Sequence, residues 1–69
     1  MNIGRSIKKA LIDKEMSQKE LAERMDMLPS SMSQLCSRKR CNGSTLEALC
    51  KQFDMKVSEF IRLGESYER

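Results

Sequence analysis

Short polar side chains cluster in residues 29–35, where the sequence reads Pro-Ser-Ser-Met-Ser-Gln-Leu. Hydroxyl and amide groups both donate and accept hydrogen bonds. Met32 and Leu35 are spaced to share one buried face of a helix, so the polar residues fall on the other faces. These polar residues are Ser30, Ser31, Ser33 and Gln34. A helix with one apolar edge and small hydrogen-bonding residues elsewhere can enter the major groove of DNA.

Three consecutive basic residues, Arg38, Lys39 and Arg40, follow shortly after this segment. Their side chains suit phosphates better than bases, and phosphate contacts set the position and the salt dependence of binding. Asn42 is a further phosphate candidate in the same predicted loop. The alternative is an ordinary solvated run of charge. The chain has 13 basic and 10 acidic residues, so its net charge of +3 does not by itself indicate nucleic-acid binding.

Two sequence signals predict that another helix starts after Ser17, ahead of the polar segment. Ser17 and Glu20 form the pattern of a capping box, in which both side chains satisfy free N–H groups at the start of a helix. Met16 and Leu21 occupy the two positions of the hydrophobic staple that accompanies such a start. We therefore predict a helix over residues 18–25.

Pro29 marks the start of a second short helix, because a proline at the first helical position loses no hydrogen bond. We expect this helix over residues 29–37. A loop over residues 38–43 follows, since it ends in the turn-forming pair Asn-Gly. The two helices and the tight turn between them would present the polar side chains at the surface.

Another helix is predicted over residues 3–15, where Asn2 is a favourable cap. Its apolar residues recur at helical spacing and define an inward face, which consists of Ile3, Ile7, Ala10 and Leu11.

Two more helices are predicted in the second half of the chain. One starts at a second capping box, Ser44 with Glu47, and directs Leu46, Leu49, Cys50 and Phe53 inward. The other spans residues 57–63, buries Val57, Phe60 and Ile61, and stops at Gly64. The pattern shows no strand alternation, so the predicted fold is all-α.

These motifs in register resemble the helix-turn-helix of the lambda repressor and Cro superfamily, also called the xenobiotic-response-element family. The matching positions are Ser17, Gln18, Leu21, Ala22, Ser33 and Leu35, with Met32 where the family has Ile or Val. Residues 44–53 and 54–60 resemble the family's fourth and fifth helices. The resemblance implies a compact five-helix DNA-binding domain over residues 1–64, followed by a short polar tail over residues 65–69.

The resemblance also implies roles for individual residues. Gln18 would contact a phosphate at the start of its helix; the alternative is an ordinary first-turn residue. Helix three would read bases in the major groove, with Pro29 acting by shape or against a thymine methyl group. The other base-reading residues would be Ser30, Ser31, Ser33 and Gln34.

The implied partner is a pseudo-palindromic double-stranded DNA operator bound by a homodimer, with recognition helices about 34 Å apart. Two alternatives stay open for this dimer: it forms in solution, or it forms only on DNA. We expect the dimer contact in the last helix and the tail, at Phe60, Leu63 and Tyr67.

The chain departs from the family pattern at three places. Asp26 replaces the usual glycine of the turn, and aspartate tolerates the left-handed conformation better than most residues. Leu11 and Cys36 stand where many relatives have an arginine–glutamate pair, so an ion pair is replaced as a unit by apolar groups. The loop over residues 38–43 is slightly longer than in some relatives.

The three cysteines, Cys36, Cys41 and Cys50, are an odd number without a C-x-x-C arrangement, and the chain has no histidine. This composition argues against a zinc site or a disulfide scaffold. We expect reduced thiols in a cytoplasmic, nucleoid-associated protein; the alternative is a redox switch at Cys41. No segment is long and apolar enough to span a membrane, and the N-terminus lacks the features of a signal peptide.

The sequence therefore predicts a sequence-specific transcription regulator, similar in size to a Cro-like phage or prophage repressor. We expect no cofactor, no small-molecule substrate and no enzymatic activity, because histidine and a phosphate-binding glycine loop are absent. Within the same class, a restriction-modification controller or an antitoxin-type autoregulator remains an alternative. A protein-interaction module that kept the fold without DNA binding is an alternative from another class.

Overall fold

Five helices and no strand make up residues 2–65, the part of the chain that a computed structural model describes. They are α1 (Ile3–Asp13), α2 (Gln18–Arg24), α3 (Pro29–Cys36), α4 (Gly43–Phe53) and α5 (Val57–Glu65). This confirms the predicted all-α, five-helix fold with a helix-turn-helix. Within the described residues, no helix is long and apolar enough to cross a membrane.

The apolar face of α1 is the centre of the bundle. Ile3, Ile7 and Ala10 are fully buried, as their helical spacing predicts. α1 packs mainly against α5 and also against α3, while α2 packs against α3 and α4 against α5. Between α4 and α5 the rings of Phe53 and Phe60 stack with their centroids 5.9 Å apart. Burying such apolar side chains is the main favourable contribution to folding.

Side-chain caps begin α1 and α2 as predicted. Asn2 Oδ1 accepts a hydrogen bond from the Arg5 N–H at 3.0 Å, and Ser17 Oγ accepts one from the Glu20 N–H at 3.0 Å. The Glu20 carboxylate accepts a hydrogen bond from Arg24 Nη2 at 2.9 Å, one helical turn later. The first half of the predicted capping box is therefore present, and Glu20 pairs along the helix.

The predicted capping residue of α4, Ser44, is wrong by two residues. Asn42 is the capping residue, and its Oδ1 accepts hydrogen bonds from the Thr45 N–H at 2.8 Å and from Ser44 Oγ at 3.0 Å. Ser44 therefore lies inside the helix and does not cap it. Asparagine and serine cap helices about equally well, so Asn42 and Ser44 are both candidates by residue type, and the earlier one caps the helix.

Three helices end in the same way, at an acidic residue with a left-handed backbone. These residues are Glu15 (φ 54°), Asp26 (φ 57°) and Asp54 (φ 55°). The next residue is a methionine each time, and its N–H donates to the carbonyl five residues earlier: Met16 to Leu11 (2.8 Å), Met27 to Ala22 (2.8 Å) and Met55 to Cys50 (3.0 Å). The bonds are those of a Schellman motif, and each methionine side chain packs against the core.

This shared ending explains two of the helix boundaries. α1 ends at Asp13 and α2 at Arg24, one or two residues before the predicted ends, because the left-handed residue turns the chain away. α3 also ends one residue early, at Cys36. Asp26 adopts the left-handed conformation predicted for it.

The predicted helix stop at Gly64 is wrong, because α5 continues through it to Glu65. Gly64 is buried against the first turn of α1, where an added Cβ would overlap the Asn2 carbonyl oxygen and Ser6 Oγ. The residue is therefore a glycine because two helices approach closely. Glu65, assigned to the tail, belongs to α5, and residues 66–69 lie outside the described part of the chain.

Two predictions for side chains of α5 are also wrong. Val57, predicted to be buried, is 38% exposed because it begins the helix at the edge of the core. Phe60 is fully buried within the chain, so it cannot form the predicted dimer contact. Ile61 and Leu63 are half-buried, and Tyr67 lies outside the described residues.

Replacing Gly64 by alanine tests the close approach of α1 and α5. We expect Gly64→Ala to lower the free energy of unfolding by about 1–3 kcal/mol, since the added methyl group must displace backbone atoms of α1. Gly43→Ala is the matched control, because nothing lies within 4 Å of a Cβ added there. Chemical denaturation of both variants measures the difference, and equal stabilities would contradict the assignment of Gly64.

Candidate nucleic-acid interface

The turn between α2 and α3 sets the orientation of α3. Its backbone reverses at Asp26 in the left-handed conformation, and Pro29 occupies the first position of α3. The apolar side of α3 is buried, as Met32 and Leu35 have at most 6% of their surface exposed. The opposite side of α3 therefore faces away from the core.

The structure places the predicted base-reading residues on this outward side. Four of them are exposed: Pro29, Ser30, Ser33 and Gln34. Ser31 is half-buried, because it lines a groove together with Gln34 and the first turn of α4. The outward side thus carries one amide and several hydroxyls that can donate and accept hydrogen bonds.

The basic residues Arg38, Lys39 and Arg40 are exposed on the connector between α3 and α4. Their backbone is nevertheless tied to α1. The Gly4 N–H donates to the Arg38 carbonyl at 2.8 Å, and the Ile3 N–H donates to the Lys39 carbonyl at 3.0 Å. Two of the free N–H groups at the start of α1 are satisfied in this way. The connector is therefore anchored while its charged side chains extend into solvent.

Gly4 makes this anchoring possible, and our sequence interpretation did not include it. A Cβ at this position would overlap the Cys36 carbonyl oxygen and lie 2.8 Å from the Arg38 carbonyl oxygen. The signal in the sequence was a glycine in the first turn of an amphipathic helix, where it is unfavourable unless packing requires it.

The remaining phosphate candidates lie in different settings. Gln18 is exposed at the first position of α2, as expected for a residue that meets a phosphate from the start of a helix. Asn42 is exposed, but its Oδ1 caps α4. Only the amide NH₂ of Asn42 is therefore left for a phosphate. The candidate residues thus lie at the starts of α2 and α4, on the outward side of α3 and on the connector.

The predicted exchange of an ion pair for apolar groups fits the burial of both residues. Leu11 is 6% exposed and Cys36 is 4% exposed, and both belong to the hydrophobic core. Burial raises the pKa of the Cys36 thiol, and the nearby positive charge of Lys8 opposes this shift. Cys36 therefore acts as a small apolar residue at the end of α3.

The other two cysteines are also free thiols. Burial raises the pKa of Cys41. Burial also raises the pKa of Cys50, with smaller contributions from Cys41 and Glu47. Because the thiolate is the reactive form, these environments disfavour the redox switch considered for Cys41. Within the described residues, no group of histidine, cysteine and acidic side chains is arranged to hold a metal ion.

A polar helix that follows a second short helix across a tight turn, with basic residues beside it, defines a helix-turn-helix DNA-binding domain. The chain belongs to the family of the Cro/C1-type HTH DNA-binding domain, which matches residues 6–65. This family binds DNA and is non-catalytic. No curated protein and no solved structure matches the chain.

The setting of Cys41 predicts low thiol reactivity. Because burial raises its pKa, the thiolate fraction near pH 7.5 is smaller than that of an exposed cysteine. We expect iodoacetamide to alkylate Cys41 more slowly than it alkylates glutathione. The alkylation rate should keep rising with pH above the pKa of an exposed cysteine, because the pKa of Cys41 is higher. Mass spectrometry of the modified peptide measures the rate. The urea-unfolded protein is the control, and faster alkylation in the folded state would contradict the prediction.

Proposed function

We propose that this protein is a sequence-specific transcription regulator of the Cro-like type, a phage or prophage repressor. It binds a pseudo-palindromic operator as a homodimer, with α3 in the major groove. The observation that carries the proposal is the two-sided character of α3. Its apolar side is buried by the bundle, while Ser30, Ser33 and Gln34 point outward on a helix of a DNA-binding family.

Base recognition is assigned to the outward side of α3. Gln34 has the amide geometry for two hydrogen bonds to one adenine, and the serines can pair with either bases or phosphates. Pro29 has no side-chain donor or acceptor, so its role is apolar contact or shape. The half-buried Ser31 is the most restricted member of the set.

Phosphate binding is assigned to the connector and to Gln18. The anchored backbone holds Arg38, Lys39 and Arg40 next to the end of α3, where they can reach a DNA strand that borders the groove. The start of α2 offers partial positive charge to a second phosphate. The amide NH₂ of Asn42 adds a neutral donor. These contacts supply affinity and register, while α3 supplies sequence preference.

One observation favours a second candidate function. α3 contains no lysine or arginine, although such residues are common in DNA-binding helices. A protein-interaction module with this fold would have the same feature. A restriction-modification controller or an antitoxin-type autoregulator would bind DNA in the manner proposed here.

Selection of binding sites from a random duplex pool at about 150 mM salt tests the proposal. We expect enrichment of a two-fold-related motif with half-sites about ten base pairs apart. A pool that stays unenriched, with only weak salt-sensitive binding, would overturn the regulator assignment and favour the interaction module.

Gln34→Ala tests base reading by α3. We expect a loss of about 1–3 kcal/mol of binding free energy at the selected site, with relaxed preference at one base-pair position. Fluorescence anisotropy with the selected duplex and its single-base variants measures both effects. An unchanged affinity in a folded variant would show that Gln34 does not read a base.

Arg40→Ala tests the phosphate role of the connector. We expect weaker binding to all duplexes and a decrease of about one in the slope of log affinity against log salt. Lys56→Ala is the control with the same change in charge. Lys56 is exposed beyond the far end of α4, and an 11-residue helix is about 16 Å long. Equal slopes for the two variants would contradict a specific role for Arg40.

A further inference from the structure

Leu28 is an exposed apolar side chain at the leading end of α3. Among residues 2–65, the large apolar side chains that are substantially exposed are Ile12 (78%), Leu28 (69%) and Val57 (38%). Of these, Leu28 is the one that lies within the helix-turn-helix. Its side chain does not belong to the hydrophobic core, so packing does not explain its presence.

The position of Leu28 is unfavourable for leucine on local grounds as well. It is the capping residue of α3, where serine, threonine, asparagine or aspartate is preferred because the side chain accepts a backbone hydrogen bond. Asn2, Ser17 and Asn42 supply such bonds to α1, α2 and α4, whereas Leu28 supplies none. A residue that breaks a local rule without gaining core contacts points to a functional role.

The neighbours of Leu28 indicate which role this is. Pro29 follows it, is also exposed and also lacks a polar side-chain atom. In a helix-turn-helix, the first residues of the recognition helix contact base edges. The apolar group among the base edges of the major groove is the C5 methyl group of thymine. Leu28 and Pro29 together therefore form an apolar end on an otherwise polar reading surface.

We propose that Leu28 is a specificity-determining residue that packs against a thymine methyl group of the operator. The inference rests on the proposed function, because it requires α3 to enter the major groove. It adds an apolar contact to the hydrogen bonds from α3. This contact gives a preference for thymine over any base without a methyl group at the contacted position. The exposed surface of Leu28 is then covered in the DNA complex.

The test uses deoxyuridine, which differs from thymidine in this groove by the methyl group alone. Each thymine of the selected half-site is replaced in turn, and affinities are measured for the wild type, Leu28→Ala and Leu28→Ser. For one methyl group, worth about 0.8 kcal/mol when buried, we expect the wild type to lose about fourfold in affinity at one position. Leu28→Ala should bind the two duplexes with nearly equal affinity.

Leu28→Ser adds a readout that separates recognition from folding. Serine restores a capping side chain and has no methyl group, so we expect a higher Tm than the wild type together with weaker binding to the thymine duplex. Ile12→Ala is the control, since it removes an exposed apolar side chain from α1 and should leave the thymine-to-uracil ratio unchanged.

Two results would overturn the inference while the proposed function stands. The first is a selected motif that the wild type binds equally well with thymine or uracil at every position. The second is an unchanged thymine-to-uracil ratio in Leu28→Ala, which would assign the methyl contact to another residue such as Pro29. A protein that selects no motif at all would remove the proposed function and this inference together.

Discussion

The start of α1 and the end of α3 approach each other so closely that only a glycine fits between them. The Gly4 N–H reaches the Arg38 carbonyl at 2.8 Å, and an added Cβ would overlap the Cys36 carbonyl oxygen. Because α1 also packs along α5, one helix holds both the bundle and the connector. These backbone hydrogen bonds hold the connector beside α3. The positions from which the basic side chains extend are therefore set by backbone contacts.

α3 separates the residues that stabilise the fold from those available for recognition. Met32 and Leu35 bury the apolar side of the helix, and Leu11 and Cys36 are buried in the same core without a charge on either side chain. Buried ion pairs are costly to desolvate, so this apolar substitute removes a demand for exact charge pairing. Ser30, Ser33 and Gln34 lie outside this core and are exposed, so their side chains can change without disturbing it.

Local patterns predicted most of the fold, and contacts distant in sequence account for what was missed. Helical periodicity predicted the five helices and the outward side of α3. Gly4 and Gly64 are glycines because helices far apart in the sequence meet there, which no local pattern reveals. Asn42 and Ser44 are equivalent caps by residue type, so residue type alone does not decide between them. Residue type alone also cannot tell whether Phe60 fills the core or a dimer interface. The DNA contacts themselves stay predictions.

The repeated helix ending, an acidic residue followed by a methionine, has a chemical consequence. Met16, Met27 and Met55 each close a helix through the backbone and rest against the core through a thioether. Oxidation to the sulfoxide makes such a side chain polar. Peroxide would therefore weaken the packing at the ends of α1, α2 and α4 by the same reaction. The thioethers of these residues, and not the buried thiols of Cys36 and Cys50, are therefore the sulfur atoms through which oxidation would act on the helix ends.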